Sequence, residues 1–269
     1  MSNSTIFNAI EQFNNTQPGY ETLSGPKTYE STLDEVRQQN EDRELRRRII
    51  REQRLEYRKL CFIIPVLTQE SLDAVRAISQ DVKFLGHKLE IRAGLVEETD
   101  MSYVDAIVGP GNSYGHMTGG FDIAIVRILG AHVQRNLLKE IHEAHLGEVN
   151  VGQAVRVATD HPRVKHLIYA PTMRTPKGLP VGTDIPYLAN LAALQQINQF
   201  NAHVLPQNRI RNVIFPLMGA GTGGIPPRVA TEQLYLAIRQ YTQQPVIRDL
   251  FDDGKGRDGE LNEIWKRNI

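Results

Sequence analysis

The chain contains 269 residues, 41% of them hydrophobic, and its 31 Lys and Arg residues balance its 31 Asp and Glu residues. This composition is typical of a globular protein with one large core, and the neutral charge argues against a global attraction to nucleic acid or to a membrane surface. A single cysteine excludes an intramolecular disulfide and a Cys-based zinc site, and no apolar stretch could span a bilayer, so we expect a cytoplasmic protein without membrane association.

The first part of the chain differs in composition from the rest. Residues 1–32 are rich in Asn, Gln, Ser, Thr, Gly and Pro, so we expect a flexible segment. Residues 33–59 lack Gly and Pro and are rich in helix formers, which predicts a helical extension. Its second half, residues 43–59, contains eight basic and three acidic residues, so this basic helix is a weak candidate for binding nucleic acid. A solvated helix packed on the domain by its few apolar residues is the favoured alternative.

From residue 60 to residue 243 apolar strands alternate with amphipathic helices. The predicted elements, in chain order, are a strand at 61–67, a helix at 69–79, strands at 88–94 and 104–110, helices at 121–130 and 132–146, strands at 153–159 and 166–171, a helix at 185–202, a strand at 212–218 and a helix at 227–241. This alternation favours an α/β fold with helices on both faces of the sheet. Residues 244–269 are charged and interrupted by glycines, and we expect a tail on the surface.

Two of the strand-to-helix connections are rich in glycine. The first, GPGNSYGHMTGGFD at residues 109–122, contains five glycines, and the second, GAGTGG at residues 219–224, contains four. Because ligands bind at the carboxyl ends of the strands in an open α/β sheet, we expect both loops at one site. Their backbone N–H groups, with those of the following helix N-termini, can hold a diphosphate without Lys or Arg. For either loop alone a tight strand-to-helix turn is the favoured explanation, but the pair favours an anion site.

Two other motifs are weaker. Gly219, Gly221 and Gly224 satisfy the G-x-G-x-x-G pattern, but no acidic residue ends a strand about twenty residues later, so a dinucleotide-dependent oxidoreductase is disfavoured. His142 and His145 lie about one helical turn apart, and no third ligand is evident. We therefore predict neither a metal site nor a bound cofactor.

The two loops, in their order and spacing, resemble those of the macrodomain family, whose members bind ADP-ribose. The resemblance rests on DAIVGPGNSYGHMTGGFDIAI, where ten residues separate Asn112 from Asp122 as in the hydrolytic branch, on FPLMGAGTGGIP, and on VGQAVRVATDHPRVKHLIYAPTM between them. SYGHMTGG, APTMRTP and GAGTGGIPPRVA are most similar to a divergent branch of the family. The resemblance covers residues 60–243 and implies a three-layer α/β/α sandwich with a central mixed sheet.

The resemblance also implies a ligand position. The diphosphate of ADP-ribose would lie between the loops, with backbone contacts from Gly119, Gly120, Phe121, Gly219, Ala220, Gly221, Thr222, Gly223 and Gly224. Asn112 would hold the distal ribose, because an amide both donates and accepts hydrogen bonds. Asp122 would accept from a ribose hydroxyl or orient the attacking water, since a helix start favours the ionised carboxylate. The purely structural roles are an Asx turn for Asn112 and an N-cap for Asp122.

Some positions depart from the family pattern. Leu95 stands where the family has the Asp that recognises the adenine amino group, and Glu97 or Glu98 is the candidate substitute. Gly109 replaces the first Asn of a two-Asn turn.

Other departures lie near the distal ribose. Thr222 and Gly223 replace an aliphatic and an aromatic residue of the second loop. The resemblance leaves Tyr114 or Phe121 to supply the aromatic contact with the ribose. His116, inside the first loop, is also placed to contact a ligand.

Three functions remain open from the sequence. The leading hypothesis is a protein that binds ADP-ribose and hydrolyses ADP-ribosyl linkages on modified proteins. The second is a non-catalytic reader of ADP-ribose or a related nucleotide. The third is a structural or assembly protein whose loops bind nothing.

Overall fold

The computed structural model describes residues 37–46, residue 56, residues 58–243 and residues 250–268. The chain divides into two units, Met1–Glu52 and Gln53–Ile269. Within the first unit, residues 37–46 form a helix with exposed side chains, as predicted for this part of the helical extension. The predicted flexible segment at residues 1–32 lies outside the described residues.

The second unit contains an alternation of strands and helices. Its elements, in chain order, are β1 (Cys61–Val66), α1 (Gln69–Phe84), β2 (Lys88–Ala93), β3 (Ala106–Gly109), α2 (Gly120–Leu129), α3 (His132–Ala144), β4 (Val155–Ala158), β5 (His166–Tyr169), α4 (Ile185–Ala202), β6 (Asn212–Ile214), α5 (Pro227–Thr242) and α6 (Leu250–Asn268). Short 3-10 helices occur at Val96–Glu98, Met101–Tyr103 and Pro206–Asn208. All predicted strands and helices from β1 to α5 are present. Among the described residues, no helix is both long and apolar enough to cross a membrane.

The six strands form one mixed sheet in the order β2-β1-β6-β3-β5-β4. Neighbouring strands are parallel, except that β4 runs antiparallel to β5. The last strand in sequence, β6, is inserted between β1 and β3, and Ile107 of β3 pairs with Ile214 of β6. The strands that lead into the two glycine loops are therefore adjacent, which brings the loops to the same edge of the sheet.

Helices cover both faces of the sheet, as the three-layer prediction requires. Along β1, Phe62 and Ile64 belong to a core shared with α1, α4, α5 and α6. The alternate residues Cys61 and Ile63 belong to a second core shared with α2 and α3. Successive side chains of a strand point to opposite faces, so burial on both sides explains why these strands are continuously apolar. The predicted α/β/α sandwich is confirmed.

Helix α6 is an element that the sequence pattern did not predict. We expected a surface tail, whereas Leu261, Ile264 and Trp265 are 6%, 3% and 5% exposed and join the core beside α5. These residues recur at the spacing of one helical face. Because glycine disfavours helices, the glycines in the first half of α6 concealed this periodicity.

Candidate functional site

A cleft of about 800 Å³ lies at the carboxyl ends of the parallel strands. Its walls are the segments that follow β1, β2, β3, β5 and β6. The predicted site residues that line it are Asn112, His116, Gly119, Gly120, Phe121, Asp122, Gly219, Ala220, Gly221, Thr222 and Gly223. Tyr114 and Gly224 belong to the same loops but lie outside the lining of the cleft. Of the two aromatic residues considered for the ribose contact, Phe121 is therefore the one at the cleft.

The side chain of Asn112 organises the first loop. Its Oδ1 accepts hydrogen bonds from the N–H groups of Tyr114 at 3.1 Å and His116 at 3.4 Å, and its Nδ2 donates to the His116 carbonyl at 2.7 Å. The Asx turn is therefore present. Since the amide group has two N–H donors, one N–H remains for a ligand. The double role of donor and acceptor that we expected toward a ribose is reduced to that single donor.

Tyr169 also holds the first loop. It was not predicted from the sequence as a residue of the site. Its fully buried hydroxyl donates to the carbonyl of Asn112 and accepts from the N–H of Asn112, both at 2.9 Å. A Cβ on Gly111 would lie 1.9 Å from this hydroxyl and 2.5 Å from Oδ2 of Asp122, so only glycine fits there. The sequence feature that could have indicated this role is the position of Tyr169 at the end of β5, the strand that pairs with β3.

Asp122 is a buried carboxyl group in the wall of the cleft. It is the third residue of α2, whose N-cap is Gly119, so the purely structural alternative of an N-cap is wrong. Its side chain is 6% exposed, and Oδ1 accepts no hydrogen bond from the described residues.

The protonation of Asp122 also differs from the expectation. Burial raises its pKa to about 7, although a hydrogen bond from the Gly111 N–H opposes the rise. Desolvation thus outweighs the helix terminus that we expected to keep the carboxylate ionised. A carboxyl group with this pKa can take up or release a proton at neutral pH.

The first loop also presents backbone donors at the start of α2. The N-cap residue Gly119 makes no side-chain capping bond. Within the described part of the chain, the N–H groups of Gly119, Gly120 and Phe121 donate no hydrogen bond. Unpaired N–H groups at a helix start favour an anion, because the helix dipole adds partial positive charge.

The second loop is shaped by its own backbone. Gly219 has a φ of 79°, and its carbonyl accepts from the Ile225 N–H at 3.0 Å, which closes the loop. The N–H groups of Gly221, Thr222 and Gly223 donate no hydrogen bond to any residue that the structure describes. Successive free N–H groups in a turn form a concave site for an anion.

Helix α5 contributes less to this site than we expected. It begins at Pro227 after the N-cap residue Pro226, and proline has no N–H. The second loop therefore offers its own N–H groups rather than those of a helix N-terminus.

The end of the cleft beside β1 and β2 is bordered by Leu95, which is 53% exposed. Glu98 does not line the cleft, and its carboxylate accepts from the N–H of Leu95 at 3.2 Å. Glu97 does line the cleft and pairs with Arg127, with 3.4 Å between Oε1 and Nη1. Of the two acidic residues proposed to replace the missing Asp, only Glu97 is placed at the cleft. Arg127 is the only Lys or Arg among the described lining residues.

Two lining segments were not identified from the sequence. One follows β1 and contains Leu67, Thr68 and Ser71; the other follows β5 and contains Thr172 and Met173. Both come directly after predicted strands, and this position was the only sequence feature that could have placed them at the cleft. Across the described ranges, no group of three or more His, Cys, Asp or Glu side chains is placed to hold a metal ion.

The cleft and its loops can be compared with known proteins. Residues 108–234 match the model of the Macro domain family. A protein of Aquifex aeolicus (strain VF5), described as "Uncharacterized protein", is 28% identical over 179 residues, which are 66% of this chain and 96% of that protein. Among solved structures, a mutant Oceanobacillus iheyensis macrodomain with ADPR is 14% identical over 63% of this chain and 89% of its own, with a TM-score of 0.45.

The macrodomain of the same organism with ADP is 16% identical over 63% of this chain and 87% of its own, with a TM-score of 0.44. The family match extends from the end of β3 into α5 and includes both glycine loops. This match supports membership of the macrodomain superfamily.

Proposed function

We propose that this protein binds ADP-ribose between its two glycine loops and hydrolyses ADP-ribosyl linkages on modified proteins. The observation that carries the proposal is the buried Asp122 carboxyl, which lines the same cleft as two sets of free backbone N–H groups. Perturbed carboxyl groups in clefts are typical of functional sites. The match to the Macro domain family supports the nature of the ligand.

The diphosphate is assigned to the space between the loops. Gly119, Gly120 and Phe121 offer N–H donors on one side, and the second loop offers those of Gly221 and Thr222 on the other. A diphosphate carries its charge on oxygens that accept such bonds. The two loops can therefore hold it without a basic side chain from either loop.

The chemical step is assigned to the end of the cleft at Asp122. In its ionised form Asp122 takes a proton from a water molecule as the water oxygen bonds to the anomeric carbon of the distal ribose. The bond from that carbon to the modified side chain breaks, and the leaving group takes a proton from solvent. The products are free ADP-ribose and the unmodified side chain. The remaining N–H of Asn112 is a donor for a ribose hydroxyl.

One observation favours the alternative of a non-catalytic reader. Oδ1 and one N–H of the Asn112 amide bond to the loop backbone, so this side chain offers a ligand one donor and no further group for catalysis. A reader needs only the backbone donors and a hydrogen-bond acceptor. An un-ionised Asp122 would serve as well as the carboxylate.

The test combines calorimetric binding of ADP-ribose with release of ADP-ribose from a modified protein. We expect the wild type to bind and release, and Asp122→Asn to bind within several-fold while release falls about 100-fold or more, the size of a lost general base. Release should rise with pH through about 7, as the Asp122 carboxyl ionises. Asp81→Asn, on the exposed surface of α1, is the matched control.

Each other outcome has a defined meaning. Binding without release would identify a reader. Release that survives in Asp122→Asn would contradict the role of that residue. Absence of binding by the wild type would overturn the proposed function.

A further inference from the structure

The segment between β5 and α4 connects the second glycine loop to the C-terminal helix. At one end, the N–H of Leu179 donates to the carbonyl of Gly223 at 2.8 Å. Cδ1 of Leu179 also lies 3.0 Å from the position that a Cβ on Gly223 would occupy. This contact holds the segment against the second glycine loop, which lines the cleft.

At its other end the segment is held by two buried side chains. The carbonyl of Thr183 accepts from Nε1 of Trp265 at 2.8 Å and from Nε2 of Gln233 at 2.9 Å. Trp265, on α6, is 5% exposed, and Gln233, on α5, is fully buried. Because a carbonyl oxygen has two lone pairs, these donors fix its position from both sides.

The two ends are joined by a short turn. The N–H of Thr183 donates to the carbonyl of Pro180 at 3.3 Å, and Gly182 has a φ of 85°. A positive φ at the third position is what a type II turn requires, and glycine provides it without strain. A closed four-residue turn can transmit a displacement of Thr183 to Leu179 better than an open loop.

We propose that Trp265 is a positioning residue for the ligand site. Through Thr183 and Leu179 it holds the second glycine loop in the shape that presents its N–H groups, so helix α6 sets the affinity of the cleft. Helix α6 lies outside residues 108–234, the part matched by the family model. The effect on affinity rests on the proposed function, whereas the effect on the loop does not.

Trp265 also provides its own reporter, because it is the only tryptophan of the chain. Its indole N–H bonds to the segment that contacts the glycine loop. We expect its emission to change when ADP-ribose is titrated into the wild-type protein, with the same midpoint as calorimetry. Binding that leaves the emission unchanged would contradict the connection.

The variant test replaces the donor and keeps a ring in the core. Trp265→Phe should weaken ADP-ribose binding about three- to tenfold, the effect of one hydrogen bond. Leu261→Ala is the control, because Leu261 is buried on the same helix and its apolar side chain makes no hydrogen bond to the segment. We expect this control to lower the melting temperature and leave the affinity unchanged. Unchanged affinity in Trp265→Phe, or an equal loss in Leu261→Ala, would overturn the proposal.

Amide hydrogen exchange tests the connection without a ligand. In Trp265→Phe the Leu179 amide should exchange faster than in Leu261→Ala, at a temperature where both variants are folded. Equal exchange in the two variants would overturn the inference. If the wild type does not bind ADP-ribose, the proposed function fails, and exchange at Leu179 still decides whether Trp265 positions the loop.

Discussion

The two glycine loops face the same cleft but are stabilised in different ways. Side chains hold the first loop. The side-chain amide of Asn112 bonds to the backbone of the loop, and the buried Tyr169 hydroxyl bonds to the backbone N–H and carbonyl of Asn112. Backbone contacts hold the second loop, through Ile225 and Leu179. The first loop can therefore place a titratable group with precision, whereas the second presents a row of similar donors.

This difference follows from where each helix begins. Helix α2 starts inside the first loop, so Asp122 is drawn into the wall of the cleft with its carboxyl buried. Helix α5 starts behind Pro226 and Pro227, which leaves the second loop to form a site from its own N–H groups. We infer that both loops hold the diphosphate, that the first loop also distinguishes ligands by the sugar, and that the second recognises the diphosphate alone.

The largest expected effect breaks the first loop. Gly111→Ala would place a methyl group 1.9 Å from the Tyr169 hydroxyl and 2.5 Å from Oδ2 of Asp122. We expect the free energy of unfolding to fall by about 3–5 kcal/mol, because the clash breaks buried hydrogen bonds. Urea denaturation measures this change.

Gly119→Ala in the same loop is the control for Gly111→Ala. No atom lies within 4 Å of its added methyl group, and Gly119 has an extended backbone with a φ of −160°. Its stability should remain within about 1 kcal/mol of the wild type, the cost of an alanine at an N-cap position. Equal stability of both variants would show that the contact between Gly111 and Tyr169 does not fix the loop.

The second effect is the pH dependence of stability that the buried Asp122 carboxyl of the first loop produces. The folded-state pKa of Asp122, about 7, lies above the ordinary value of 3.8, so the folded protein binds more protons than the unfolded chain between these values. The preference of the folded state for the protonated carboxyl raises the free energy of unfolding. This contribution is complete below pH 4 and is lost as the pH rises through 7. Between pH 5 and pH 8 the wild type should lose about 3 kcal/mol of unfolding free energy relative to Asp122→Asn.

This pH dependence is measured as urea denaturation of both proteins across the range. Asp81→Asn, which changes an exposed carboxyl, should follow the wild type at every pH. Parallel curves for the wild type and Asp122→Asn would mean that the Asp122 carboxyl stays ionised. The first loop would then lack the buried charge that distinguishes it from the second.

The comparison of the loops also shows what the sequence could predict. Alternating apolar runs were sufficient to locate the strands and the helices up to α5, and glycine spacing located both loops. The pKa of Asp122 was predicted in the wrong direction, because its burial depends on residues far away in sequence. Gly111 lies against the Tyr169 hydroxyl, which comes from a different strand. Helix periodicity near Trp265 was masked by glycines, so the connection from α6 to the second loop could not be inferred.

The smallest expected effect tests the second loop. A Cβ on Gly223 would lie 2.5 Å from the carbonyl oxygen of Gly219 and 3.0 Å from Cδ1 of Leu179, so Gly223→Ala should distort the row of N–H groups. ADP and ADP-ribose share the diphosphate that this loop is proposed to hold. We therefore expect both affinities to fall by a similar factor, about fivefold for a loss near 1 kcal/mol.

Calorimetry with the two ligands separates the roles of the loops. Gly178→Ala, whose methyl group meets no atom within 4 Å and which does not line the cleft, controls for the loss of a glycine and should bind both ligands within about twofold of the wild type. Asp122→Asn should change the affinity for ADP-ribose and leave that for ADP unaltered, because ADP lacks the distal ribose. A Gly223→Ala variant that loses ADP-ribose and retains ADP would place the sugar, rather than the diphosphate, at the second loop. The division of labour between a side-chain loop and a backbone loop would then have to be reversed.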